Sequence, residues 1–152
     1  MNTLHIDTAR TWRGGQNQVL YTVLGLRERG HRAALVAHPH GELARRAAEG
    51  LDLFRLAPAH EVDFAAAFRL ARVIKDVGPD VIHAHDPHAV SFAAMALSLM
   101  GKVRKPALVA ARRVDFHLKR NAFSRWKYSL VDAMITSSDA IRDIVVSDGF
   151  PA

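Results

Sequence analysis

The sequence predicts an α/β protein with a doubly wound, mostly parallel sheet, and three observations carry that prediction. Short apolar runs alternate with longer stretches of helical period about six times within 152 residues, one domain's length at roughly 100–200 residues per domain. Several runs are continuously apolar, as in Ala33-Ala34-Leu35-Val36-Ala37, which marks strands buried on both faces. Gly30 and Gly78-Pro79 follow helical stretches, where a chain leaving a helix needs such residues. Together these give a Rossmann-like sheet, whose ligands bind outside the carboxyl ends of the strands.

The elements follow in order. The first strand is read at Thr3–Thr8, and the helix after it has Val19, Leu20, Val23, Leu24 and Leu26 as its apolar stripe, closed by Gly30. Strands follow at Arg32–His38 and Asp52–Leu56. Phe64, Phe68, Ala71 and Ile74 form a second helical stripe, and the fourth strand spans Asp80–Ala84. Ala89 to Met100 is apolar but for two serines; shorter than the about 20 residues of a bilayer span, it reads as a buried helix. Strands at Pro106–Ala111 and Ala133–Ser137, then a helix from Asp139 to Val146 capped by Ser137 or Ser138, complete the domain. The strand ends to inspect are Asp7 to Gly15, His38 to His40, His85 to His88, Arg112 to Asp115 and Ser137 to Asp139.

Composition narrows the function. Hydrophobic residues at 49% and charged residues at 24% exclude a disordered chain. No cysteine is present, which excludes disulfides, thiolate metal sites and cysteine nucleophiles and fits a reducing compartment. Met1 runs almost directly into Leu4-His5-Ile6 without the basic start and apolar stretch of a signal peptide, so a cytoplasmic location is expected. The formal charge of +6 is uneven: between Lys102 and Lys127 nine cations face only Asp115, a local +8 that leaves −2 for the remainder. An anionic partner is therefore expected at one region of the surface.

Three clusters carry candidate chemistry. Arg10-Thr11-Trp12-Arg13-Gly14-Gly15-Gln16 follows the first strand and opens a helix; paired glycines let backbone amides approach an anion at a helix N-terminus. A glycine turn that only redirects the chain has the same sequence, and neither a G-x-G-x-x-G fingerprint nor a P-loop is present. The second cluster is His83-Ala84-His85-Asp86-Pro87-His88. Its spacing puts His83 and His85 on one side of the strand. His83 is expected to be a satisfied histidine of the sheet. His85, at the strand end, is the candidate for a sugar or phosphate contact, and zinc is the competing use of such a pair. Asp86-Pro87 starts the next helix. The third cluster runs from Arg112-Arg113-Val114-Asp115-Phe116-His117 into Lys119, Arg120, Arg125, Trp126, Lys127 and Tyr128. Arginine forks suit phosphate, and mixed basic and aromatic side chains suit an anionic membrane surface. Single-stranded nucleic acid could use the same composition, but no nucleic-acid-binding module signature is present.

Trp12-Arg13-Gly14-Gly15-Gln16, Leu24-x-Leu26-x-x-x-Gly30-His31, Pro79-Asp80-Val81-Ile82-His83-Ala84-His85 and Val131-Asp132-Ala133-Met134-Ile135-Thr136-Ser137-Ser138, in that order and spacing, resemble the N-terminal half of a family 4 glycosyltransferase with the GT-B fold. The resemblance covers essentially the whole chain and is nearest to bacterial enzymes that extend lipopolysaccharide-core or related cell-envelope glycans. It implies an acceptor-binding N-terminal domain, residues 1–152, with the donor-binding domain absent from this chain. It further implies a nucleotide-sugar donor as substrate, no cofactor and no obligatory metal, a glycan or glycolipid acceptor, and transfer with retention. Gly14, Gly15 and Gln16 would lie against the donor phosphates. His85, Asp115 and His117 are the catalytic candidates, although many relatives have a His where Arg112-Arg113 stands here. Arg13, Asp86, Arg112, Arg113, Lys119, Arg120, Arg125, Trp126 and Lys127 are the candidates for acceptor or inner-leaflet contact. A non-enzymatic polyanion-binding module and half of a sugar-nucleotide epimerase are the competing readings.

Overall fold

A computed structural model describes residues 1–47, 50–101, 105–118 and 121–150. Lys119 and Arg120, two of the basic candidates, lie outside the described residues. Among the described residues six strands, β1 (Asn2–Asp7), β2 (Arg32–Ala37), β3 (Asp52–Arg55), β4 (Val81–Ala84), β5 (Ala107–Arg112) and β6 (Ala133–Thr136), form one sheet in the order β3-β2-β1-β4-β5-β6. Every pairing is parallel. The order reverses between β1 and β4, so the carboxyl ends of these two strands flank the crevice where such sheets bind ligands.

The strands are those the sequence predicts, with ends displaced by a residue or so. The helices that join and follow them among the described residues are α1 (Gly14–Glu28), α2 (Glu42–Arg46), α3 (Phe64–Val77), α4 (Pro87–Leu99), α5 (Ala122–Ser129) and α6 (Asp139–Ser147). The end signals act as expected. Gly30 (φ 78°) follows α1, and Gly78 closes α3 in the left-handed conformation (φ 58°), which a Cβ would strain. Asp86 caps α4 with Pro87 in its first turn. Ser138, not Ser137, caps α6, its Oγ accepting from the Ile141 N–H.

Two corrections concern helix faces. Phe64 and Phe68 do not face the core; both are more than half exposed. The buried face of α3 is Ala66, Ala67, Leu70, Ala71 and Ile74. It packs against α4, itself buried from Ala89 to Leu97, and alanines let the two helices approach closely. Leu24 likewise turns outward, while Val19 and Val23 carry the packing of α1.

Alternation along the strands divides the sheet into two faces. Leu4, Ile6, Ile82, Ala84, Leu108 and Ala110 join the larger core under α3 and α4. On the other side Leu35 and Ala37 pack with Val19, Leu43 and Ala44. That second face also receives Thr3, His5 and Asp7 of β1, so a polar row runs through the middle of the sheet toward the crevice.

Candidate functional site

The crevice is a cleft of about 320 Å³ at the carboxyl edge of the sheet, and it brings together Arg13, Gly15, Gln16, His85, Asp86, Arg112 and Arg113. These come from three of the strand ends that the sequence marked. Tyr128 of α5 also lines it.

The start of α1 is anchored through Gln16. Its amide oxygen accepts from the Arg13 N–H at 3.2 Å, and its Nε2 donates to the Asp7 carboxylate at 3.0 Å. Gln16 is thus nearly buried and engaged at both ends of its amide. Gly14 and Gly15 stand differently. Neither has a positive φ; a Cβ at Gly14 would meet nothing within 4 Å, and one at Gly15 would only touch Arg113 at 3.9 Å. Nothing in the fold itself demands glycine there, which leaves backbone open to a ligand.

Asp7 was not singled out from sequence, yet it is the most perturbed carboxyl of the cleft. Burial pushes it up to about 6, with Asp86 adding to the rise, while the Gln16 amide, the Ala9 N–H and Arg113 oppose it. Asp86 is occupied as a hinge between elements. Its oxygens accept from the Thr8 N–H (2.8 Å) and hydroxyl (3.0 Å), and from the His88 and Ala89 N–H groups of α4 (2.8 and 2.9 Å).

Behind the cleft, bond directions assign the tautomers of a buried relay. An arginine only donates, so Arg113 Nη2 donates to His85 Nδ1 at 3.0 Å. The His85 proton then sits on Nε2 and is donated to His5 Nδ1, also at 3.0 Å. His5 Nε2 donates onward to Thr3 Oγ1 (3.2 Å), whose hydroxyl donates to the Arg32 carbonyl oxygen (3.3 Å). Burial keeps all three central imidazoles neutral: it pulls His5 down to about 3, His83 to about 4 and His85 well below the usual histidine range.

His5, His83 and His85 present ring nitrogens within 4.8 Å of one another, a metal-like grouping. The polarity of the relay opposes ligation. A metal on His85 Nε2 would require the proton on Nδ1, which faces the Arg113 guanidinium. His83 corrects the sequence expectation: it lies in the sheet, its ring centroid 3.9 Å from that of His85. It is not satisfied, because its buried Nε2 has no partner among the described residues.

The other candidates are dispersed. Asp115 and His117 do not line the cleft; both are exposed, and His117 Nδ1 pairs with Asp148 just beyond α6 at 2.9 Å. Lys127 does not face outward as the basic-aromatic pattern suggests. Its ammonium is buried and donates to Ser91 Oγ (2.9 Å), the Pro87 carbonyl (3.1 Å) and Glu61 (3.2 Å). At position 127 the amphipathic period of α5 overrides composition. Arg125 and Trp126 remain on the exposed side. Among the described residues no helix is long and apolar enough to cross a membrane.

Known structures carry the same arrangement of elements. Anabaena Alr3699/HepE in complex with UDP-glucose is 16% identical with a TM-score of 0.74, covering 100% of this chain and 42% of that one. The lipopolysaccharide outer core galactosyltransferase WaaB, in its apo form, is 13% identical with a TM-score of 0.72, covering 99% and 43%. Acinetobacter baumannii MurG is 12% identical with a TM-score of 0.66, covering 100% and 43%. The chain therefore spans about two-fifths of the length of the solved structures it matches. No curated protein sequence matches it. The family model Glycosyltransferase Family 4 matches residues 12–152, a span that takes in the glycine loop, the strand-end histidines and the arginine pair. With that model matching residues 12–152, most of its length, the chain belongs to Glycosyltransferase Family 4.

Proposed function

We propose that this chain is the acceptor-binding N-terminal domain, one half of a GT-B architecture, of an enzyme that moves a sugar from a nucleotide-sugar to a lipid-linked or glycan acceptor with retention at the anomeric carbon. The observation that carries the reading is the unobstructed pair Gly14-Gly15, the second of which lines the cleft, in a chain of this family. Amides there meet the donor diphosphate as the two halves close, and their fixed dipoles offset the charge developing on the leaving group. Arg113, half-buried and held by His85, faces the same space as the acceptor enters. A relative in complex with UDP-glucose and another titled a lipopolysaccharide outer core galactosyltransferase support a nucleotide-sugar donor and a cell-envelope glycan. Family membership favours transfer over epimerisation.

The reading extends to location. Arg125 and Trp126 on α5, with Val114 and Phe116 in the loop before it, are exposed, and cations among apolar side chains suit the anionic cytoplasmic leaflet. The test of function is transfer of labelled sugar from UDP-glucose, UDP-galactose and UDP-N-acetylglucosamine to a lipid-linked saccharide by the full gene product, with and without Gly15→Val. Transfer that Gly15→Val abolishes supports the proposal. Sugar-nucleotide turnover that needs no acceptor would replace it with epimerisation. Co-sedimentation with anionic vesicles that is unchanged by Arg125→Glu would remove the membrane contact.

A further inference from the structure

Arg13 lines the cleft but is exposed; among the buried and half-buried charges there, one lacks an opposite charge beside it. Asp86 is saturated by Thr8 and the first turn of α4. Asp7 is held by Gln16 and the Ala9 N–H. Both carboxylates lie close enough to Arg113 to favour its charge, and Arg113 also donates to His85. Arg112 has no such company. It is 7% exposed, it forms no ion pair with a carboxylate among the described residues, and its buried Nε has no hydrogen-bond partner there. Its guanidinium donates to the Phe116 carbonyl oxygen and lies against the Tyr128 hydroxyl. The two carboxylates whose field reaches Tyr128, Glu61 and Asp86, are engaged elsewhere, Glu61 by Lys127 and Asp86 by Thr8 and the first turn of α4.

A buried cation without an anion is strongly unfavourable, and carbonyl and phenol oxygens offset it only partly. The two arginines also point apart, as consecutive residues at the end of a strand do. Arg112 continues the side of β5 that carries Leu108 and Ala110 toward α4 and α5. Arg113 turns to His85 and α1. The two arginines thus stand on different walls of the cleft, Arg113 beside two carboxylates near the glycine loop and the buried Arg112 without one beside Tyr128.

We propose that Arg112, with the Tyr128 hydroxyl beside it, is the subsite for an oxyanion carried by the acceptor, a phosphate or carboxylate group on the sugar or its lipid. The assignment to the acceptor rests on the reading of this cleft given above, in which donor phosphates fall at Gly14-Gly15 on the opposite wall. A planar fork of donors matches such a group in a way a lysine does not. Burial keeps the Tyr128 phenol protonated, so it joins the guanidinium as a donor. A neutral saccharide would leave Arg112 uncompensated; the site therefore selects for charge at that position of the acceptor.

The test is NMR of the 152-residue chain, reading the Arg112 Nε–H signal while inorganic phosphate, glucuronate and glucose are titrated separately. Phosphate or glucuronate is expected to shift that signal saturably, with glucose leaving it in place, and the two anions distinguish a phosphate subsite from a carboxylate one. Arg112→Gln is expected to weaken the favoured anion by about tenfold or more, with Arg112→Lys in between and Tyr128→Phe costing about threefold. An unmoved Nε–H signal, or equal affinity in Arg112→Gln, overturns the subsite. The wild-type titration decides even if that variant does not fold. UDP displacing the bound anion from Arg112 would instead overturn the acceptor assignment while leaving the oxyanion site intact.

Discussion

His85 Nε2 lies 3.0 Å from His5 Nδ1, joining the carboxyl end of β4 to the middle of β1 through two neutral imidazoles in one fixed tautomeric order. The order is imposed from the cleft, by a guanidinium that can only donate. It terminates at a backbone carbonyl on β2. The position of Arg113 is thereby tied to three strands of the sheet.

This arrangement makes stability pH-dependent. With folded pKa values of about 3 for His5 and about 4 for His83, below the ordinary 6.5, the unfolded chain binds protons that the folded chain refuses as pH falls. Neither costs stability above 6.5; as pH falls below it the loss accumulates down to about 4 for His83 and about 3 for His5. Asp7, raised to about 6 from 3.8, acts in the opposite direction over 3.8 to 6 and offsets about one histidine. Urea unfolding is expected to show a net loss of roughly 1–3 kcal/mol per pH unit near pH 5. A flat profile between pH 7 and 5 would mean the imidazoles are not held neutral.

Asp7→Asn separates that opposing contribution. The raised pKa means that folding at neutral pH carries the cost of an ionised, buried carboxylate, which an amide does not. The variant is expected to be more stable by roughly 1–3 kcal/mol above pH 7, with the gain vanishing below about pH 4. Chemical denaturation at pH 8 and pH 4 checks it; an equal effect at both would assign Asp7 a packing role only.

Glycines 14 and 41 are expected to behave oppositely. A Cβ at Gly41 would lie 2.9 Å from the Ala9 carbonyl oxygen and 3.1 Å from that of His38, both backbone atoms that cannot swing aside. Gly41→Ala should cost about 1–3 kcal/mol through this overpacking. Gly14→Ala should lie within about 0.5 kcal/mol of wild type, because its Cβ meets nothing. Thermal unfolding of the two variants decides; comparable destabilisation would place Gly14 in the folding requirement and not at a ligand.

Lys127 and Arg125, two residues apart on α5, divide in the same manner. Lys127→Ala removes the buried ammonium that joins Ser91, Pro87 and Glu61 and should cost about 2–3 kcal/mol. Arg125→Ala, on the exposed side, should be nearly neutral. Urea midpoints for both check this. Equal values would contradict the inward placement of Lys127.

The legible part of the molecule is what burial writes into local sequence. Runs such as Ala33–Ala37 are strands because both faces are covered, and Gly78 ends α3 because only glycine takes its φ at little cost. The helices α2 and α5 escaped notice for the opposite reason: five residues, or a basic octapeptide, leave too little apolar period to read. Phe64 and Phe68 misled because aromatic bulk suggested a core-facing stripe, whereas the partner helix accepts alanines. In the cleft, Gly14, Gly15, His85 and Arg113 were legible at strand ends. Asp7 stood at the head of a marked strand end without a role, and His5 was not marked, since its meaning arises only when β1 pairs with β4 and sets it opposite His83. The missing counter-charge at Arg112 is likewise a property of packing and not of spacing.

The proposed use of this cleft as a saccharide acceptor site is decided by amide NMR of the 152-residue chain titrated with a water-soluble lipid-linked saccharide fragment, and separately with single-stranded RNA. Saturable shifts confined to Gly14–Gln16, His85 and Arg112–Val114 are expected with the saccharide, and none there with RNA. Tight, salt-sensitive RNA binding with the cleft silent toward saccharide would contradict it.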